Sequence, residues 1–329
     1  MFASLVFAAN ISTEKPPMAQ ETKTPLEDIL SSSAFTAELP KGTPEGIGST
    51  TQAVKRLVIR QLGDPQGSSY LLLQNVPPGF IERITDNRSL IGSRGARICY
   101  NCETRQLIVK FPSLPHEVGA RSLGKIFSKA FDGLGLAGRY QSLGSGLADN
   151  GRVKKEPDDQ WAPKPEYLPA GRDPDWSTVV LECGWSESLR QLRRDASIWL
   201  CKFGAMTVVI VSIHRQRHEV LLEKWVPKLG QSTRGGQRFL PVCGQTISIK
   251  ETKSGLLING PYLRIDFEEF WLRRPTEGES DYVFPHCALE KMADDVWLRQ
   301  DIWLGKRNEQ PLEIPDEDFQ LGEEEKGDA

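Results

Sequence analysis

The sequence predicts a mixed α/β domain, with a central mixed sheet flanked by helices and further strands and a last helix after it. Two near-continuous β-branched runs, residues 177–184 and 206–213, have the length and composition of buried strands. Two longer segments, residues 118–131 and 189–203, repeat apolar residues at helical spacing. Strands and helices that alternate in this way build one sheet with helices on its faces.

The first part of the domain contains apolar runs bounded by turns, at residues 54–62 and 70–74. A hairpin follows, with arms at residues 97–100 and 106–111. The helix over residues 118–131 comes next, and the glycines that begin at Gly133 end it. These elements precede the strand at residues 177–184, which reads as buried along its length.

The second part begins with a helix predicted to start at Ser186 and to stop at Gly204. The strand at residues 206–213 pairs as a hairpin with residues 219–225. Residues 240–272 predict short strands that end in Phe-Trp-Leu, and residues 288–303 predict a closing helix. These last segments are the β-rich and helical C-terminal additions to the core.

Three acidic residues occupy positions where this order of elements can bring them together. Glu117 lies at the start of the first helix, Asp158 follows Pro157 at the lead-in to a strand, and Glu182 lies at the end of the buried strand. A carboxylate in an apolar strand is costly unless it is paired, hydrogen-bonded or bound to a metal. Carboxylate oxygens are the ligands that Mg²⁺ and Mn²⁺ prefer. Glu117, Asp158 and Glu182 are therefore the predicted metal ligands.

These motifs resemble those of the PD-(D/E)xK nuclease superfamily, which has a restriction endonuclease-like fold. The likeness rests on Pro157–Asp158, on the strand V-V-L-E-C-G that contains Glu182, on the Ser-Glu-Ser at residues 186–188, and on a helix with Asp195. The restriction-endonuclease branch of the superfamily is the nearer match, with His116–Glu117 in the corresponding helix. The chain is also similar to uncharacterised fungal proteins. The resemblance covers residues 95–225, about 40% of the chain.

The resemblance implies a hydrolase that cleaves phosphodiester bonds with Mg²⁺ or Mn²⁺, an endonuclease whose partner is nucleic acid. The superfamily has a lysine two residues after the strand acid, and this chain has Gly184 there. Lys155, just before Pro157, or Arg194, on the following helix, are the candidates to supply the missing charge. The predicted catalytic residues are thus Asp158, Glu182, Lys155 and Arg194. The absence of the motif lysine equally permits a catalytically degenerate protein, which keeps the nuclease fold for binding or interaction and is not an enzyme.

Several of these residues also have structural interpretations that the sequence leaves open. Asp158 and its neighbour Asp159 suit a turn beside proline, and the sequence does not decide which of them faces the site. Glu117 suits the first turn of a helix through the helix dipole. The arginines of the helix that contains Arg194 could contact a phosphate backbone or form a solvated face. The single Cys-x-x-Cys motif that begins at Cys99 supplies only two ligands, and a structural zinc ion needs about four.

The composition excludes several classes of protein. With 39% hydrophobic and 26% charged residues the chain is globular, and 41 basic against 44 acidic residues give a net charge of −3. That charge argues against a protein covered in nucleic acid but permits a local basic groove. No run of about 18 apolar residues predicts a membrane-spanning helix. Six cysteines fit a reducing compartment, so we expect an intracellular protein, cytoplasmic or nuclear, and not a secreted one.

The two ends differ from the middle in composition. Residues 1–50 are rich in Ser, Thr, Pro, Glu and Lys, which predicts disorder. Residues 52–305 form one predicted globular domain with its nuclease-like core at about 95–225. Residues 306–329 form an acidic tail with nine Asp and Glu from Glu309 onward and only Lys326 opposing them. We expect this tail to be solvated and disordered.

Overall fold

The structure, a computed structural model, describes residues 29–64, 67–91, 95–185, 189–230 and 239–307. Its strands are, in chain order, β1 (Glu45–Ile47), β2 (Tyr70–Gln74), β3 (Arg97–Asn101), β4 (Gln106–Lys110), β5 (Tyr140–Ser142), β6 (Ala148–Asp149), β7 (Val153–Lys155), β8 (Asp159–Pro163), β9 (Val179–Trp185), β10 (Thr207–Ile213), β11 (Glu219–Leu229), β12 (Phe239–Thr252), β13 (Gly255–Asn259), β14 (Leu263–Ile265) and β15 (Tyr282–Phe284). Its α-helices are α1 (Ser32–Thr36), α2 (Thr51–Leu62), α3 (Gly79–Asp86), α4 (Leu114–Phe131), α5 (Leu189–Lys202), α6 (Phe267–Trp271) and α7 (His286–Trp303).

Most strands belong to two mixed sheets. The first sheet has the order β1-β2-β4-β3-β7-β6, and the second has the order β13-β12-β11-β10-β9-β8-β5. In the first sheet only β1 and β2 pair in parallel. In the second sheet only β9 and β10 do so. The helix α5 makes the crossover that a parallel pair requires.

Helices cover both faces of the second sheet, and the apolar core lies between these layers. On one face, α4 and α7 pack together with the odd-numbered residues of β9, from Val179 to Trp185. On the other face, α5 packs against Val180 and against residues that include Tyr70 and Ile108 of the first sheet. Because side chains alternate along a strand, Glu182 follows Val180 onto the α5 side. The strand acid therefore points into the layer between the two sheets.

The predicted fold class, α/β with mixed sheets flanked by helices, is confirmed. The predicted order of elements is also seen, since the hairpin β3–β4 is followed by α4, by β8 directly after Asp158, by β9, and by α5, β10 and β11. Glu182 is the middle residue of β9 and not its end, because the strand continues to Trp185. The near-continuous apolar runs became the two strands that pair in parallel at the centre of the second sheet. Within the described ranges, no helix combines the length and the apolar character needed to cross a bilayer.

The N-terminal boundary of the ordered chain differs from the sequence prediction. Residues 29–50 were expected to be disordered, but this part contains α1 and β1, and β1 pairs with β2. Phe35 and Leu30 supply the reason, because both are buried in the core between the sheets. A few apolar anchors stabilise this segment despite its polar composition. The rest of the predicted N-terminal disorder, residues 1–28, lies outside the described residues, as do residues 308–329 of the tail and the helix start at Ser186.

Residues 267–271 form the helix α6 instead of the predicted end of a strand. The sequence around Phe270 and Trp271 is apolar and aromatic, which favours a strand. However, Asp266 precedes the segment, and the Glu269 carboxylate accepts a hydrogen bond from the Asp266 amide at 3.4 Å. This capping arrangement satisfies backbone groups at the start of the turn and selects a helix.

Candidate functional site

The predicted site residues lie where the chain crosses from the first sheet to the second. Between β7 and β8, the Glu156 amide donates to the Ile98 carbonyl of the first sheet. Two residues later, the Asp158 amide donates to the Leu181 carbonyl of β9. These two backbone bonds set the Asp158 side chain beside β9, and both Asp158 and Glu182 are only 2% exposed.

Asp158 is surrounded by hydrogen-bond donors. Its Oδ2 atom lies 3.0 Å from Lys110 Nζ, 3.0 Å from His116 Nε2 and 2.8 Å from the Cys183 amide nitrogen. Its Oδ1 atom lies 3.5 Å from Arg97 Nε. Burial by itself would raise the pKa of this carboxyl, but His116, Lys110 and Arg97 together hold the pKa well below its usual value. Asp158 is therefore a buried carboxylate that its neighbours keep ionised.

Glu182 is held by a different set of donors. Its Oε1 atom accepts from the Trp199 indole N–H at 2.6 Å and lies 3.0 Å from Lys155 Nζ. Lys155 Nζ also lies 3.0 Å from Asp195 Oδ1, and the two carboxylates raise the pKa of this lysine against the opposing effect of burial. Burial raises the pKa of Glu182, although Lys155 and Lys110 oppose the rise. Lys155 thus bridges the strand acid to the helix α5.

Lys110, the last residue of β4, places its ammonium among three oxygen atoms of the second sheet. Its Nζ atom lies 2.6 Å from the Cys183 carbonyl oxygen, 3.0 Å from Asp158 Oδ2 and 3.7 Å from Glu182 Oε2. The Lys110 side chain is 7% exposed. Two carboxylates and a backbone carbonyl are the oxygen donors that a divalent cation takes. In this protein a lysine ammonium lies at the point where they converge.

Much of the negative charge of this cluster is compensated within the protein itself. Its members are four acids, three permanent cations and a histidine: Asp158, Glu182, Asp195, Glu117, Lys110, Lys155, Arg97 and His116. A divalent ion would need ligand bonds of roughly 2.0–2.6 Å to oxygens that already contact ammonium and guanidinium groups. In the described ranges, no three His, Cys, Asp or Glu side chains are arranged to hold a metal ion. The residues present do not fit a divalent ion while Lys110 stays in place.

The third predicted metal ligand, Glu117, lies at the edge of the cluster. Its Oε1 atom accepts from Arg97 Nη2 at 3.1 Å, and its side chain is 29% exposed. Arg97 separates it from Asp158, so the three predicted ligands do not surround one point. Asp158 and Glu182 do share a cation, which is Lys110. Their predicted roles as metal ligands stay predictions.

The two basic residues proposed from the sequence lie in different places. Lys155 contacts Glu182, with its Nζ atom 3.0 Å from Glu182 Oε1. Arg194 instead donates to the Ile29 carbonyl at 2.5 Å and lies over the Phe35 ring. Because successive helical residues point about 100° apart, Asp195 faces Lys155 while Arg194 faces the N-terminal segment. A catalytic role for either residue stays a prediction.

Lys110 was not recognised from the sequence, and Arg97 was not expected in this centre. Both are charged residues in strands that are buried throughout. They are buried themselves, since Arg97 is only 7% and Lys110 only 6% exposed. A signal for Lys110 was available, since a lysine that ends an apolar strand needs a partner as much as Glu182 does. The partner itself was hidden, because Lys110 and Asp158 are 48 residues apart in the chain.

Comparison with known proteins gives few matches. No family model matches the chain. No curated protein matches it either. Among solved structures, it is similar to one described as "a putative nuclease belonging to DUF820" from Anabaena variabilis, with 11% sequence identity and a TM-score of 0.28. That match covers 42% of this chain and 77% of the other. A TM-score of this size is too low to transfer a fold or an activity.

Proposed function

We propose that this chain is a nuclease-like protein that binds nucleic acid without hydrolysing it. The observation that carries the proposal is the position of Lys110 Nζ, at 2.6 Å from the Cys183 carbonyl and 3.0 Å from Asp158 Oδ2. An internal ammonium there takes up the negative charge that a nuclease of the resembled type would use to bind its metal ion. Asp158 and Glu182 then act as structural partners of lysines.

The burial of the two acids supports the same conclusion. Hydrolysis requires that water and a phosphate group reach the catalytic carboxylates, yet Asp158 and Glu182 are each 2% exposed. The pKa of Asp158 is held low, so this residue is a poor general base as well. The cluster instead has a structural role, because its hydrogen-bonded ion pairs connect β4, β7, β9 and α5.

A basic stripe on α4 supports the binding part of the proposal. Arg121, Lys125 and Lys129 are exposed and follow one another at four-residue spacing, about 6 Å per step. Together with Asp132 and Asp159 they line an open groove of about 450 Å³. Arg121 also lies 3.9 Å from Glu117, at the edge of the charge cluster. Regularly spaced cations of this kind suit a phosphate backbone, which they contact without reading its sequence.

Metal-dependent phosphodiester hydrolysis is the second candidate function, and one observation favours it. Asp158, Glu182 and Lys155 belong to one cluster although they come from separate segments of the chain, and this is the combination that the resembled nucleases require. In this alternative, Asp158 and Glu182 would hold Mg²⁺ or Mn²⁺, and Lys110 would have to leave its position.

A plasmid-nicking assay separates the two functions. We would compare wild type, Glu182→Gln and the half-buried control Glu219→Gln, which is paired with Lys250 outside the cluster, in Mg²⁺, in Mn²⁺ and in EDTA. The glutamine at position 182 keeps the shape of the side chain and can still accept the bond from Trp199. Cleavage by wild type and control that is lost in Glu182→Gln would overturn the proposal and establish the second candidate.

The binding part is measured in EDTA by fluorescence anisotropy with a short DNA duplex. We expect binding without metal, with a salt dependence whose slope falls by about 1 for each cation removed in Lys125→Gln and Lys129→Gln. The exposed Lys253→Gln is the matched control. Failure of wild type to bind at low salt would refute nucleic-acid binding, and an unchanged slope in the α4 variants would refute the stripe alone.

A further inference from the structure

A second basic surface lies on the helix α2. Lys55, Arg56 and Arg60 are all exposed there, and the helix sequence from Thr51 to Leu62 contains no Asp or Glu. Across the ranges that the structure describes, none of these three cations has an ion pair or a side-chain hydrogen bond. The outer face of α2 therefore has uncompensated positive charge.

The same face of α2 also exposes apolar side chains. Ile59 is 52% and Leu62 is 47% exposed. Residues four apart on a helix are neighbours, so Ile59 lies beside Lys55. Arg56 and Arg60 form the adjacent row on the same side of the helix. A ligand that matches this face needs negative charges interspersed with apolar groups. A bare phosphate backbone would leave the apolar side chains exposed.

The C-terminal helix ends next to this face. Trp303, the last residue of α7, lines a cavity of about 160 Å³ together with Gln61 and Leu62 at the end of α2. Trp303 is itself 50% exposed. The chain after α7 therefore starts beside the C-terminal end of α2.

We propose that the acidic C-terminal segment, residues 309–328, binds along the outer face of α2 in the same chain. This segment has nine acids and one lysine, and its apolar residues Leu312, Ile314, Phe319 and Leu321 lie between the acids. The alternation of charge and apolar groups matches the two features of α2.

The distances permit this contact. The six residues from Trp303 to Glu309 span at most about 20 Å, and α2 is about 18 Å long. An attached segment has an effective concentration on the order of millimolar. Exposed ion pairs are individually weak, but at such a concentration several of them together are enough to keep the segment bound. The proposal does not depend on the nucleic-acid function above.

Zero-length carbodiimide cross-linking of the full-length protein tests this contact, because it joins a lysine ammonium only to a carboxylate in direct contact. We expect cross-links in the monomer between Lys55 and acids of residues 309–328, identified by mass spectrometry. They should disappear at 1 M salt, where the screening length is about 3 Å. Lys125 and Lys129 of the α4 stripe are internal controls and should give few such links.

A charge-neutralising variant tests the same point independently. Arg56→Gln with Arg60→Gln leaves Lys55 and its exposed surroundings in place, and we expect the yield of Lys55 cross-links to fall about five-fold. The absence of Lys55 links in wild type, or links mainly to α4, would overturn the proposal. So would mixed-isotope links between differently labelled copies, which indicate a contact between chains.

Discussion

Replacing Lys110 with methionine tests the interpretation of the carboxylate cluster most directly. Methionine keeps most of the apolar stem but is one atom shorter, so it removes the ammonium that lies between Asp158, the Cys183 carbonyl and Glu182 and leaves its position empty. Breaking a buried ion pair from one side costs about 3–5 kcal/mol. Asp158 retains His116 and the Cys183 amide, so we expect the lower end, about 3 kcal/mol of unfolding free energy.

The same substitution should convert the centre into a site for a divalent cation. With the ammonium gone, two carboxylates and a carbonyl converge on a space without a positive charge. A ligand that binds only the folded state stabilises it by about 2.7 kcal/mol at 100 times its dissociation constant. We therefore expect excess Mn²⁺ to restore most of the lost stability in Lys110→Met and to leave wild type unchanged.

Urea unfolding followed by tryptophan fluorescence, in EDTA and in Mn²⁺, measures both effects. Lys250→Met is the matched control, because Lys250 is 43% exposed in its pair with Glu219 and its loss should cost less than about 1 kcal/mol. Two results would refute the reasoning. One is a Lys110→Met protein as stable as wild type in EDTA, and the other is a wild type that gains as much from Mn²⁺ as the variant does.

Three further predictions follow from the same contacts. Trp199→Phe removes the 2.6 Å hydrogen bond to the Glu182 carboxylate and should lower the free energy of unfolding by about 2 kcal/mol in urea titrations, whereas a loss under 0.5 kcal/mol would contradict the assigned bond. Brief alkylation with mass-spectrometric readout should label the exposed Cys287 and spare Cys99, whose thiol is buried with its pKa raised to about 12; equal labelling would disprove that burial. The pKa of Asp158 is lower in the folded protein than its unfolded value of about 3.9, so its charge stabilises the fold above that pH and this contribution is lost as the pH falls. The free energy of unfolding of wild type should therefore fall more steeply below about pH 4 than that of Asp158→Asn. Equal slopes would speak against an ionised Asp158 paired with its basic neighbours.

Local periodicity was enough to predict most of the central elements. The buried strands β9 and β10 and the helices α4 and α5 were recognisable because each is a single stretch whose pattern reports which side is buried. The strand predicted around Phe270 was wrong. Its aromatic composition favours a strand, but a capping carboxylate starts a helix there. Residues 29–50 were predicted to be disordered because only a few apolar side chains anchor this folded segment to the core.

The sequence by itself determined the fold class and the fact that Glu182 would be buried in a strand and would need a partner. Only the tertiary structure decided that this partner is Lys155 and that Lys110 enters the space between Asp158 and Glu182. The physical reason is that a periodic pattern shows that a side chain is buried and not which distant residue it meets. Lys110 and the Cys183 carbonyl are 73 residues apart, and they meet only because β4 of the first sheet ends against β9 of the second.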